Sequence, residues 1–311
     1  MVETIALKYI ASNSNVSIFI GFCFVAMGGC VAAWLDRGKT EMRRVPFFVF
    51  SSIVVFGLVA IRIVWLQISA AILGGYAWAI VAVHLSALFL VGFCNGRIAL
   101  ARARDAYGDR WYAVLAFIPL ANLALVFKRS LTPDSAKKIA TIKPFRGMGG
   151  VLVGILIFVA GFLVSGWIKW AFEQQEGLQK TDVGALQRQV EVSLRLHGLE
   201  GTLRNIASGT PMPAKVDKTM TVIGLVADGT RLHRTIMLDA SVVDPANLKG
   251  ISADALAMIT QDLGREIVQA VCSAPLNAPL LQAGASMDEF YVGSDGTPIV
   301  SRTVTREVCG L

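Results

Sequence analysis

Few residues of this 311-residue chain are placed to do chemistry. The three histidines, His84, His197 and His233, are far apart and have none of the short spacing of a zinc site. "GSDG" at 293–296 lacks the Gly-x-Ser-x-Gly order of a nucleophile elbow and falls where a hairpin turn is expected. Asp288 and Glu289 are adjacent, and adjacent side chains on a strand point to opposite faces, so they do not converge as an acid–base pair. Neither a P-loop nor a dinucleotide-binding glycine pattern occurs. The expectation is a chain that is not an enzyme and takes no cofactor or metal.

Two polar residues stand where polarity is costly. Arg62 and His84 lie inside apolar stretches, and ionisable residues within a membrane are functional candidates by default. Arg62 is close to Gln67, near the end of its stretch, where its side chain can snorkel to lipid headgroups. His84 is near the middle of the next stretch and can face Arg62 or bond across helices. No Asp or Glu accompanies it in any apolar stretch, which weighs against a proton- or cation-coupled transporter.

The elements that position these residues are membrane helices. The chain is 54% hydrophobic and 16% charged, where a soluble protein carries about a quarter charged residues. Residues 1–172 hold 17 Lys and Arg against 6 Asp and Glu, and residues 173–311 hold 12 against 16. The basic character therefore belongs to the apolar half. That is the pattern of cytoplasmic loops under the positive-inside bias, not of a nucleic-acid-binding surface. The expected partner is the lipid bilayer, and no nucleic acid.

Four stretches reach the roughly 20 residues a bilayer requires: Val16–Leu35, Pro46–Ile68, Ala71–Asn95 and Gly149–Ala171. The first is too long for a signal-peptide core and lacks a basic n-region, so it is retained. Trp111–Phe127 is apolar too, but has only 17 residues and carries Pro119. The segments 36–44, 97–110 and 128–148 are net +2, +2 and +5, and 69–75 is uncharged. If only the four long stretches cross, every basic segment is cytoplasmic. A crossing by Trp111–Phe127 would put two of them outside, so a re-entrant or in-plane segment is expected there, kinked at Pro119. Either threading exports the chain beyond residue 172.

The domain reading is therefore a transmembrane helical domain over 1–172, a linker and amphipathic helix over 173–207, and a periplasmic α+β domain over 208–311. Asp182 can cap a helix to about His197, with Leu186, Val190 and Leu194 on one face and Gly198 and Gly201 breaking or kinking it. "KTMTVIGLVADGTRLHRTIMLDA" reads as a hairpin turning at Asp228-Gly229, and "DEFYVGSDGTPIVSRTVTREVC" as another turning at Ser294-Asp295-Gly296. Between them Ser252 caps a helix with Leu256, Ile259, Leu263, Ile267 and Val271 as its buried stripe. The order α-β-β-α-β-β predicts helices on an antiparallel sheet. Cys23, Cys30 and Cys94 lie in membrane stretches, leaving Cys272 and Cys309 as an even pair in an oxidising compartment, hence a predicted disulfide.

"MPAKVDKTMTVIGLVADGTRLHRTIMLD" with "CSAPLNAPLLQAGASMDEFYVGSDGTPIVSRTVTREVC" resembles a small cystine domain of uncharacterised bacterial envelope proteins. The matching residues are Pro213, Val216 and Asp217 at the entry, Cys272 and Pro275, Leu280, Leu281 and Gly284, and the closing Cys309. Phe290 and Tyr291 stand for the aromatic strand that comes after the glycine. "RARDAYGDRWYAVLAFIPLANLAL" is similar to the DUF805 family of small bacterial inner-membrane proteins through Arg102, Asp105, Gly108, Trp111, Tyr112, Ile118 and Pro119, with Arg104 in place of that family's histidine. The resemblance implies an inner-membrane location.

The last apolar stretch carries Gly147, Gly150, Gly154, Gly161 and Ser165 along one side, and the first pairs Gly28 with Ala32 and Gly29 with Ala33. Such small residues let helices approach closely, within this chain or against a partner. The expected function is an accessory or interaction subunit that presents its periplasmic domain to a larger membrane assembly, through a membrane-protein partner or a homo-oligomer. The competing class is a small transporter or channel using His84 and Arg62.

Overall fold

Long apolar runs free of internal proline make the first part of the chain helical. The computed structural model describes residues 1–36, 41–118, 120–131, 147–181, 183–239, 241 and 253–311. The expectations placed on Pro119, on Arg37 and Lys39, on residues 132–146 of the most basic segment, on Asp182 and Ser252 as caps and on the Leu256 side chain lie outside the described residues. The chain divides into two units, Met1–Glu176 and Gly177–Leu311.

The first unit comprises α1 (Val2–Ile10), α2 (Ser14–Trp34), α3 (Arg44–Ala60), a 3-10 segment (Ile61–Gln67), α4 (Ile68–Gly74), α5 (Ala77–Tyr107), a second 3-10 segment (Arg110–Phe117), α6 (Asn122–Phe127) and, up to Glu176, α7 (Gly147–Thr181). Among the described residues, four helical stretches are long and apolar enough to cross a membrane: Ser14–Trp34, Arg44–Gly74, Ala77–Tyr107 and Gly147–Gln174. Their burial is inside out. Phe19, Leu90, Phe162 and Leu163 are exposed, whereas Gly28, Gly29, Ala32 and Gly92 are buried. Large apolar groups outside and small ones between helices is the arrangement that packs helices in lipid.

Contacts fix the helix directions. Gly21 lies against Leu88, Val25 against Gly92, and Gly29 and Ala32 against Gly96, so α2 and α5 run parallel. A Cβ on Gly28 or Gly92 would collide with backbone of the other helix, so only glycine allows this approach. Phe47 packs with Ala99, Leu100 and Ala103, while Gly57 meets Val91, so α3 is antiparallel to α5. Phe48 lies against Gly154 and Phe56 against Gly161, so α7 runs parallel to α3. The ends of α2 and α5 and the starts of α3 and α7 consequently share one end of the unit. At the other end, Glu3 of α1 accepts from the Ala77 and Trp78 amides, both at 3.2 Å, and so caps α5.

The second unit comprises α8 (Val183–Gly209), β1 (Ala214–Lys215), β2 (Met220–Asp228), β3 (Arg231–Leu238), α9 (Ala253–Ser273), α10 (Asn277–Gln282), β4 (Ser286–Val292) and β5 (Pro298–Val304). α8 kinks at Gly198 and resumes to Gly209 rather than ending near His197. The sheet order is β1-β2-β3-β4-β5. It is mixed, not antiparallel: β3 and β4 pair in parallel. The helical connection between them returns the chain to the starting end of β3, so β4 enters in the same direction. The core joins Leu203 of α8, Ile267 and Val271 of α9 and Leu281 of α10 to Ile236, Met287 and Val304 of the sheet. The α9 stripe is shorter than expected, because Ile259 is 42% exposed. The Arg302 guanidinium, not an apolar side chain, lies on the sheet at this level, with Nη2 3.3 Å from the Thr260 carbonyl and its fork against Gly264.

Candidate functional site

In the helical unit the polar centre is the C-terminal end of α5. Arg102 and Asp105 are one turn apart, both with side chains 0% exposed, and form an ion pair. Arg102 Nε donates to the Leu125 carbonyl at 2.7 Å, Nη2 to the Lys128 carbonyl and Nη1 to the Met42 carbonyl at 3.5 Å. Asp105 accepts from Ser130 Oγ, and its own carbonyl accepts from Leu131 N at 2.9 Å. These bonds clamp residues 125–131 to the helix end from which residue 110 has just departed.

Between those points the chain climbs α5 and comes back. Asn95 Nδ2 donates to the Ala116 carbonyl at 3.4 Å, and Phe117 packs on Gly29. Asn95 is roughly 15 Å from Asp105 along the helix, at about 1.5 Å per residue. Ala113 and Leu125, one from each limb, are buried with Phe47, Ala99 and Ala103. Trp111–Phe127 is thus a hairpin whose base is held at one end of α5, and not a single spanning helix. The basic residues Arg43, Arg44, Arg97, Arg104, Arg110 and Lys128 collect at that same end.

His84 bonds to the 3-10 segment that also carries Arg62. Its Nδ1 accepts from Trp65 Nε1 at 3.1 Å, with the rings 5.1 Å apart edge to face, and Tyr9 of α1 lies 6.3 Å beyond Trp65. Arg62 sits in the 3-10 turns between α3 and α4. Gly150, Gly154 and Gly161 are buried and Ser165 is half-buried, the stripe lying under Phe48 and Phe56 of α3.

In the α+β unit the sheet carries a charged row on each face. On the helix-covered face Arg234, Glu289 and Arg302 lie side by side on β3, β4 and β5. Glu289 is 1% exposed and takes a two-pronged bond from Arg234, with Nε at 3.0 and 2.9 Å. On the opposite face Asp288, 5% exposed, accepts from Thr303 Oγ1 at 2.6 Å and lies 3.2 Å from His233 Nδ1 and 3.7 Å from Arg231 Nε. The two carboxylates therefore serve different faces. Burial, reinforced by the Glu289 charge, pushes the Tyr291 phenol above its ordinary value against the opposing pull of Arg234.

Cys272 and Cys309 form a disulfide with Cα atoms 5.4 Å apart, tying the end of α9 to the chain after β5. Asp217 accepts from the Thr219 amide and hydroxyl and from the Met220 amide, which holds its carboxyl below the usual range and closes the turn into β2. The Pro275 carbonyl accepts from Gln187 Nε2 at 2.8 Å, and Gly284 takes a positive φ of 94° before β4. A groove of about 490 Å³ runs beside α8, lined by Val190, Ile206, Val222, Leu232 and Leu280, with Arg234 in its wall and Gln189 and Asn205 exposed at it.

The clasp and the two sheet rows were missed as sites by sequence reasoning. An Arg and an Asp three apart on a helix signal a pair, but nothing in the sequence shows the carbonyls they hold. Arg234 and Glu289 are 55 positions apart and become neighbours only through the parallel register.

No family model matches the chain, and no curated protein matches it. Among solved structures it is similar to a candidate secreted protein from Pseudomonas aeruginosa, at 17% identity over 36% of this chain and 92% of the other, with a TM-score of 0.29. It is also similar to the type 2 secretion system pilotin of Vibrio vulnificus, at 17% identity over 40% of this chain and 96% of the other, TM-score 0.28. The type II secretion system pilotin of Vibrio cholerae gives 17%, 40%, 97% and 0.27 in the same terms. At that identity and those TM-scores the likeness assigns neither role nor partner to this chain.

Proposed function

We propose that this chain is a multi-pass bacterial inner-membrane protein that acts by binding, as an accessory subunit presenting a periplasmic α+β unit to a larger membrane assembly. The observation that carries the reading is how the buried charges are used. Arg102, Asp105, Asp288 and Glu289 are the charged residues buried in the described part, and each bonds to protein. His84, in an apolar stretch of α5, takes the indole of Trp65. A transporter or an enzyme needs such groups poised at a substrate path; here they hold backbone and strands in place.

The helix directions support the threading. With α2 and α5 parallel, α3 and α7 opposed to them and the hairpin based at the end of α5, the basic segments gather at one end, the cytoplasmic one under the positive-inside bias. α7 then leads outward, and the disulfide fits an oxidising compartment. The groove beside α8 is the surface offered to a protein partner.

The test is purification of the tagged chain from native membranes in mild detergent, comparing wild type with a Gln189→Arg/Asn205→Arg variant. Both residues are exposed at the groove, so thermal stability is expected to hold. A stoichiometric companion that the variant loses, while His84→Ala keeps it, is the expected result. Recovery of the wild type alone, with a transport defect in His84→Ala, would sink the accessory reading.

A further inference from the structure

The wall of the helical unit contains a cavity of about 540 Å³ between α2, α5 and the first limb of the hairpin. That size is within the roughly 300–1,000 Å³ of ligand sites. Its lining is apolar: Phe22 and Ala26 come from α2, Gly96 and Leu100 from α5, Val114 and Phe117 from the 3-10 limb. One charged residue borders it, Arg110. No carboxylate pairs with Arg110 among the described residues; its guanidinium lies 5.8 Å from the centre of the Trp111 ring. Trp34 and Trp111, 83% and 75% exposed, flank the same mouth.

The position of these groups identifies the occupant. Trp34 ends α2 and Arg110 comes just after α5, so with α2 and α5 parallel the mouth lies at the basic end of the unit. Exposed tryptophans beside an arginine mark the headgroup level of a bilayer. Below that level the cavity is apolar and borders the lipid-facing residues Phe22 and Val114. In a bilayer the cavity opens to lipid, so an acyl chain reaches it directly, and the arginine at its rim is complementary to a lipid phosphate.

We propose that this cavity holds an acyl chain of one anionic phospholipid from the surrounding membrane, with Arg110 on its phosphate. The inference rests on the reading of the chain as a membrane protein. The hairpin explains why such a site exists: its 3-10 limb forms the third wall, and the lipid in turn covers the exposed apolar side of that limb.

The experiment is native mass spectrometry of the full chain from bilayers of equal phosphatidylglycerol and phosphatidylcholine. One phosphatidylglycerol per chain is expected, favoured about fivefold over phosphatidylcholine, the effect of one basic residue at a membrane surface. Arg110→Ala should bring the ratio close to one and Arg110→Lys should keep most of it. Arg129→Ala, an exposed arginine away from the cavity, should leave it unchanged. Equal retention of both lipids by wild type, or equal losses in Arg110→Ala and Arg129→Ala, would overturn the proposal. So would retention of neither lipid, which leaves the cavity to a helix of a partner. Release of the chain from membranes by carbonate alone, a separate measurement, is what would overturn the membrane reading.

Discussion

Arg102 and Arg234 are both arginines beside a carboxylate that solvent barely reaches, yet their donors go to different places. In the helical unit Arg102 reaches Asp105 one turn along its own helix and turns Nε and Nη2 to the carbonyls of Leu125 and Lys128. In the α+β unit Arg234 reaches across to a neighbouring strand and gives Glu289 both prongs of its fork. The difference arises from what each unit's backbone leaves unpaired. Leu125 is in the last turn of α6 and Lys128 caps it, so no further helical turn reaches their carbonyls and a side chain supplies the donors. A sheet satisfies its own backbone, so Arg234 is free to match a carboxylate.

The largest expected effect is therefore Arg102→Leu. It strands the Asp105 charge, which costs about 3–5 kcal/mol for a buried partner, and leaves the two carbonyls without their donors, at about 1–3 kcal/mol each. Hydrogen exchange should show residues 110–131 losing protection while β2 to β5 keep theirs. Adding Asp105→Leu should recover only the charge-related part, because the carbonyls remain orphaned. Full recovery in the double variant would mean that the clasp is an ordinary ion pair.

Next in size is the sheet pair. Arg234→Met alone should destabilise the α+β unit by about 3–5 kcal/mol, leaving the buried Glu289 charge uncompensated. The pair Arg234→Met/Glu289→Leu should recover most of that and can equal wild type, since apolar replacement of both partners is often neutral. Urea unfolding, read by exchange on β3 and β4, measures it. A double variant as unstable as the single would erase the contrast with Arg102.

What was legible in the sequence divides along the same line. The apolar stretches, both hairpins and the cysteine pair are local patterns or simple counts, and a period or a turn dipeptide carries them. The parallel pairing of β3 with β4 was not legible, because adjacent strands were expected to run antiparallel and only the path of the chain between them decides. The same register brings Arg234 to Glu289. For His84 the sequence left Arg62 or a neighbouring helix open; Trp65, an apolar-looking residue, took the bond. Ile259 kept the helical period yet is exposed, since Arg302 fills the surface beneath that turn.

Reducing the Cys272–Cys309 bond ranks third. Its sequence separation of 37 implies about 3–4 kcal/mol in the chain-entropy account. Thermal unfolding with and without reductant reads it, and Cys272→Ser/Cys309→Ser should reproduce the reduced value. The helical unit, whose Cys23, Cys30 and Cys94 are free thiols, should not respond. Equal shifts in both units would deny that the bond belongs to the α+β core alone.

The smallest effect is on pH, and it asks whether the sheet row acts as one electrostatic unit. Tyr291 is buried on the same face as Glu289, two positions along β4, and its phenol is held above the ordinary value of 10.0 by burial first and by the Glu289 charge second, with Arg234 opposing. A raised value in the folded state means that the neutral phenol is favoured by folding. That stability is fully present below the unfolded value of about 10 and is lost as pH rises through the folded one. Wild type should therefore weaken in alkali relative to Tyr291→Phe, and the pH dependence of the two should coincide at neutral pH. In Arg234→Met/Glu289→Leu both charge effects disappear and the larger one, burial, stays. The alkaline weakening should persist there and vanish only when Tyr291→Phe is added. If it vanished with the charged pair instead, Glu289 and not burial would govern the tyrosine, and the row would act as a coupled network rather than as a satisfied pair beside an independent buried phenol.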